Sequence, residues 1–319
     1  MTGIEKTEEN LTEGDVVQHA TFGLGKVVCR ISDEVDVYFP DSNDAHPGKR
    51  VRRFRLPSEF LIATADHSVE LDHLPPWRDG KFSGPPANLT LTGARDVFLR
   101  HFPNGLDDTR FVSQETSYKR SAHTRWIAAR EQLETDTAAE NVEQLVGVFE
   151  TIYGDRQRSE EAQARLNFLY QRVDEPAFFD ALKKGGPATV EYVRAVIGFI
   201  DQPAETTFSR LATSLGKLTS RAGKSLDGWT TLTWLPFVAD PDRHFLIKPT
   251  IVQRFASSIP FDIRYRSDLN FETYSSCVAM AQRLGRWLAS SDLNRSRRQL
   301  DLIDVQSFMW VVERYLPGD

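Results

Sequence analysis

Gly14-Asp15-Val16-Val17-Gln18-His19-Ala20-Thr21-Phe22-Gly23-Leu24-Gly25-Lys26-Val27-Val28, with Val35-Asp36-Val37-Tyr38-Phe39 shortly after it, decides the fold of the N-terminal part of the chain. Valines in short apolar runs on either side of a glycine corner predict two strands joined by a tight turn. Gly23 and Gly25 permit positive φ or a close backbone approach, and Phe22 is placed to close one end of a small core. The same residue types continue outward through Val51, Phe54 and Leu56. They are interrupted by Ser32-Asp33-Glu34 and by the polar stretch from Asp41 to Gly48. The expected product is a small β-barrel over residues 13–61, behind a flexible N-terminus of residues 1–12.

Farther on, Leu74-Pro75-Pro76-Trp77, Asp79-Gly80 and Ser83-Gly84-Pro85-Pro86 crowd breakers into a short span, which reads as a Pro/Gly-rich linker over 62–88. Beyond it the apolar spacing becomes three and four. Phe111, Tyr118, Ala122, Trp126, Ala129 and Leu133 fall on one helix face with Asp107 or Asp108 as cap. Val142, Leu145, Val146, Phe149 and Ile152 make another stripe; Ala162, Leu166 and Leu169 a third; Phe208, Leu211, Leu215 and Leu218 a fourth; Tyr274, Val278, Ala281 and Leu288 a fifth. Glu175-Pro176 and Gly186-Pro187 suit helix starts. Residues 89–319 therefore read as an α-helical domain, and the chain as a multidomain α+β protein. No fixed period marks a solenoid.

Composition sets limits on function. The chain has 319 residues, 40% of them hydrophobic, and a formal charge of −6. That balance excludes disorder and a whole-chain polycation, so any nucleic-acid surface must be local. No apolar run reaches the ~18 to 20 residues of a membrane span, and Met1 to Leu11 is polar and acidic; the expectation is a cytoplasmic protein with no membrane partner. Cys29 and Cys277 read as two separate thiols. Nothing in the residues sets the oligomeric state.

The glycine-corner stretch resembles the Tudor-like, SH3-like module of UvrD/PcrA-type helicases, through Gly-Asp-x-Val-x-His at 14–19, Phe-Gly-x-Gly-x-Val at 22–27 and Val-x-Val-x-Phe at 35–39. More loosely it is similar to the RNA-polymerase-interacting module of CarD-type proteins. The likeness covers residues 13–57. It implies an SH3-like barrel and an association with RNA polymerase or a repair protein, with His19, Phe22 and Lys26 as contact residues and Gly23 and Gly25 as the structural turn.

Lys49-Arg50-Val51-Arg52-Arg53-Phe54-Arg55 places five cations in seven residues. In an extended strand Arg53 and Arg55 share a face with Val51, whereas Arg50, Arg52 and Phe54 share the other. Arginine forks fit the phosphates of DNA or RNA, and they equally fit an acidic protein surface or a charged sheet edge that resists edge-to-edge pairing. No cofactor or metal signature emerges. Gly223-Lys224-Ser225 lacks the earlier glycine of a P-loop, which would fall at Leu218. His67, His73 and the acids beside them match no metal spacing. The aromatic C-terminal region, similar to uncharacterised bacterial proteins, offers Trp234, Lys248, Arg264 and Gln306 as a pocket for an anion or a base. The leading expectation is a non-enzymatic adaptor that joins transcription or DNA-repair machinery. The alternatives are a nucleic-acid-processing or defence-associated enzyme with its site in the helical domain, and a scaffold without a nucleic-acid role.

Overall fold

The computed structural model describes residues 10–40, 50–83, 89–154, 168–169, 174–218 and 226–316. Its backbone divides into two units, Met1–Arg95 with Gln253–Ile263, and Asp96–Val252 with Arg264–Asp319. The loop from 41 to 49, the candidate P-loop residues and Ala162 and Leu166 lie outside the described residues.

In the first unit β1 (Val16–His19), β2 (Gly23–Ile31), β3 (Glu34–Tyr38), β4 (Val51–Arg55) and β5 (Ile62–Ala63) form one antiparallel sheet in the order β4-β3-β2-β1-β5. No ladder joins β4 to β5 among the described residues, so the sheet is open where the sequence reading has a closed barrel. The turn between β1 and β2 lies at the glycine corner, with His19 opposite Gly23 and Val17 opposite Gly25. A register shift between Val27 and Cys29 marks a β-bulge against β3. Ordinary alternation along β2 sends the adjacent valines to two faces. Val27 joins Val17, Val35, Val37, Phe39, Leu56 and Leu61 in one core, to which Leu11 also belongs. Val28 joins Tyr38 and Leu71 in the other.

That second face is covered by the breaker-rich segment. α1 (Val69–Asp72) supplies Leu71, and the hairpin of β6 (Trp77–Arg78) and β7 (Lys81–Phe82) lays Trp77 and Phe82 beside Tyr38. Asp79 and Gly80 turn the hairpin with φ of 51° and 75°, the positive pair a two-residue hairpin turn requires.

The remainder is mostly helical. α2 (Leu91–His101) precedes α3 (Thr109–Phe111), whose first turn is capped by Asp108 accepting from the Arg110 amide at 3.0 Å. A π-helical turn, Val112–Thr116, leads from α3 into α4 (Ser117–Ala138), where Tyr118, Ala122, Trp126 and Leu133 are buried as their spacing predicts. α5 (Val142–Tyr153), α6 (Asp174–Lys184), α7 (Pro187–Asp201) and α8 (Glu205–Gly216) follow. α7 begins on Pro187, whose missing N–H costs nothing in a first turn. α9 (Trp229–Ala239) is buried on every side, and α10 (Pro249–Ser258), α11 (Phe271–Ser290) and α12 (Leu302–Tyr315) complete the order. Among the described residues no helix is long and apolar enough to cross a membrane.

Candidate functional site

The glycine corner is held from inside. His19 is 8% exposed, and its Nδ1 accepts from the backbone amides of Thr21 at 3.0 Å and Phe22 at 3.3 Å. A nitrogen that accepts twice carries no proton, which leaves the proton on Nε2. The ring stacks on Phe22 at 4.5 Å and meets Phe39 edge-on at 5.7 Å. His19 is thus a latch of the turn. Gly23 has φ of 75° with open space where a Cβ would stand, whereas a Cβ on Gly25 would fall 2.5 Å from the Phe39 ring and 2.9 Å from the Tyr38 carbonyl oxygen. The two glycines answer different needs, one conformational and one steric. Lys26 turns inward too, and its Nζ donates to the Leu71 carbonyl at 2.8 Å.

The β4 arginines separate as the alternation predicts. Arg53 stands directly opposite Asp36 on β3 and binds both its oxygens, at 2.8 and 3.0 Å. Glu34 also pairs with Arg53, at 3.5 Å. This carboxylate contact raises the already high pKa of Arg53. Arg55 donates to Asp33 at 2.9 Å, and the guanidinium holds that carboxyl below the usual carboxylate range. Arg50 donates to the Pro40 carbonyl at 3.1 Å. On the opposite face Arg52 lies 4.3 Å from the centre of the Phe22 ring. Lys49 is outside the described residues.

Two residues that the sequence reading passed over stand out beside this cluster. Phe60 is 60% exposed, with its ring 6.2 Å from that of His19, and Ile62 on the edge strand β5 is 59% exposed. Leu61 between them is fully buried in the core. The turn closed by the Leu61 amide donating to the Ser58 carbonyl at 3.2 Å precedes β5, and Phe60 and Ile62 both face outward on either side of buried Leu61. Phe60, His19, Phe22 and Arg52 form a continuous row of rings ending on a cation.

In the second unit the four expected pocket residues part company. Trp234 belongs to an aromatic core with Phe149, Tyr153, Phe168 and Phe178. Arg264 pairs with Glu272 at 3.0 Å. Lys248 and Gln306 are each 2% exposed, and the Lys248 ammonium lies 4.4 Å over the ring of Trp310, one turn beyond Gln306 on α12. The Gln306 Oε1 accepts no hydrogen bond among the described residues. Nearby, fully buried Lys119 donates to the Ser307 hydroxyl at 2.7 Å. Burial pushes both ammonium groups down to about 7, against the attraction of Glu115, whose own carboxyl burial raises. A lysine on a serine hydroxyl has the composition of a base–nucleophile pair. Both side chains are sealed at 0% exposure, and the pair serves to join α4 to α12. With the partners 188 positions apart in the chain, no local pattern announces it.

Among the described residues no three histidine, cysteine or acidic side chains gather as metal ligands. Comparison with protein-family models, with curated proteins and with solved structures finds no match for the chain.

Proposed function

We propose that the first unit is a protein-recognition module of the SH3-like, Tudor-like kind, through which the chain acts as a non-enzymatic adaptor on transcription machinery, with RNA polymerase as its partner. The observation that carries this reading is the exposed pair Phe60 and Ile62, with the half-buried Phe22–Arg52 stack nearby, beside the glycine corner whose motif resembles polymerase-docking modules. An exposed aromatic and an exposed aliphatic side chain beside an arginine are residue types that anchor protein interfaces. The engagement of Arg53 and Arg55 by Asp36 and Asp33 supports a protein partner over nucleic acid, since a phosphate would have to displace a carboxylate already in place. The helical unit then carries a second recognition surface or an effector role.

Biolayer interferometry of the full chain on purified bacterial RNA polymerase tests this. Saturable binding is expected, weakened at least tenfold by Phe60→Ser and by Ile62→Ser, while thermal melting stays unchanged because both side chains are already in water. No binding by the unaltered chain removes polymerase as the partner.

A further inference from the structure

Within the second unit, one face of α11 and the segment leading into α12 border an open cleft of about 390 Å³, a size in the range of small-molecule sites. Gln282, Arg286 and Ala289 recur at helical spacing along one wall, and Leu300, Leu302 and Val305 give the other an apolar surface. At its base Gly285 lets α11 approach closely: a Cβ there would stand 3.3 Å from a Val305 methyl.

Four charged side chains line the cleft, and the fold uses two of them. Arg298 binds both oxygens of Asp304 at 2.7 Å, and Asp301 caps α12 while accepting from Arg120 at 2.7 Å. The other two are Asp242 and Arg286. Among the described residues neither side chain makes a hydrogen bond or ion pair, with the other or with anything else. Asp242 is nonetheless fixed in place. Its own amide donates to Asp240 at 3.2 Å, and the preceding carbonyl, that of Pro241, accepts from the Leu302 amide at 2.9 Å.

A simple anion in this cleft would meet Asp242, and a simple cation would meet Arg286. A ligand carrying both signs satisfies both, and its apolar part gains by covering Leu300 and Ala289, the accessible apolar side chains of the lining. We infer that the cleft binds a small zwitterion, an aliphatic α-amino acid or dipeptide, with its carboxylate on Arg286 and its ammonium on Asp242. This site is independent of the recognition role proposed for the first unit.

Isothermal titration of the full chain with L-leucine and L-leucyl-L-leucine, set against N-acetyl-leucine and leucinamide, tests the inference. The zwitterions bind saturably and each singly charged analogue at least tenfold more weakly. Arg286→Gln costs the zwitterion at least tenfold without weakening leucinamide, and Asp242→Asn costs it as much without weakening N-acetyl-leucine. Both side chains are exposed, so far-UV melting of the variants matches the unaltered chain; if a variant melts early, the ranking of the ligands on the unaltered chain still decides. No saturable binding of either zwitterion, equal affinity for the capped analogues, or variants that bind as the unaltered chain does would each overturn it.

Discussion

Gly23 and Gly25 look alike in the sequence and are not alike in the fold. Alanine at 23 meets only the strain of φ 75°, on the order of 1 kcal/mol, whereas alanine at 25 drives a methyl into Phe39 and the Tyr38 carbonyl, which costs about 1 to 3 kcal/mol. Hydrogen exchange of the β1–β3 amides in the full chain reads this difference as local stability. Gly25→Ala should speed exchange clearly more than Gly23→Ala; the reverse order would mean that the corner is set by φ alone. His244 gives a second residue-scale outcome. It is fully buried, with Nδ1 accepting from the Tyr274 hydroxyl at 2.6 Å, and burial depresses its pKa from 6.5 to about 4. Between those values the unfolded chain binds a proton that the folded chain refuses. Its stabilising contribution is therefore complete above about pH 6.5 and is lost as pH falls toward 4, by up to about 3 kcal/mol. Melting temperature followed from pH 7 to pH 4 should fall, and the fall should be shallower in His244→Gln.

At the scale of elements, strand β4 shows what a charge pattern in a sequence can and cannot say. The alternation of faces was legible, since Val51 and Phe54 do enter opposite cores. The use of the charge was not, because the acids that meet it come from Asp33 and Asp36, separated by a turn and a strand pairing that fix which carboxylate faces which arginine. Neutralising an arginine already engaged by a carboxylate of the neighbouring strand or turn leaves counterion release on DNA unaltered. For Arg53→Gln and Arg55→Gln the slope of log affinity for duplex DNA against log salt should stay as in the unaltered chain. A flattening of about one unit per removed arginine would instead make β4 a phosphate-binding strand. The helices were read more completely than the sheet. The stripes of α4, α5, α8 and α11 each depend on spacing within one segment, as does the Asp108 cap. α9 escaped that reading because a helix buried on all sides has no polar face to set a period.

Across the whole molecule, the breaker-rich stretch shows why local chemistry misjudges a segment: its prolines and Asp79-Gly80 do interrupt regular structure, yet Leu71, Trp77 and Phe82 between them cover one face of the sheet. The Lys119–Ser307 contact and the cleft beside α11 join residues far apart in the chain, so both emerge only once the helices are packed. The outward row of Phe60 and Ile62 was hidden for a different reason. Phe60 lies in a turn and Ile62 on a two-residue strand, so no periodic pattern in the short apolar run separates them from buried Leu61. The central claim is that the chain meets its partner through this row. Hydrogen–deuterium exchange of the full chain, alone and saturated with RNA polymerase, tests it most directly. Protection should appear on the peptides covering Thr21–Phe22 and Phe60–Ala63. Protection confined to the helical unit, or none at saturating polymerase, would contradict it.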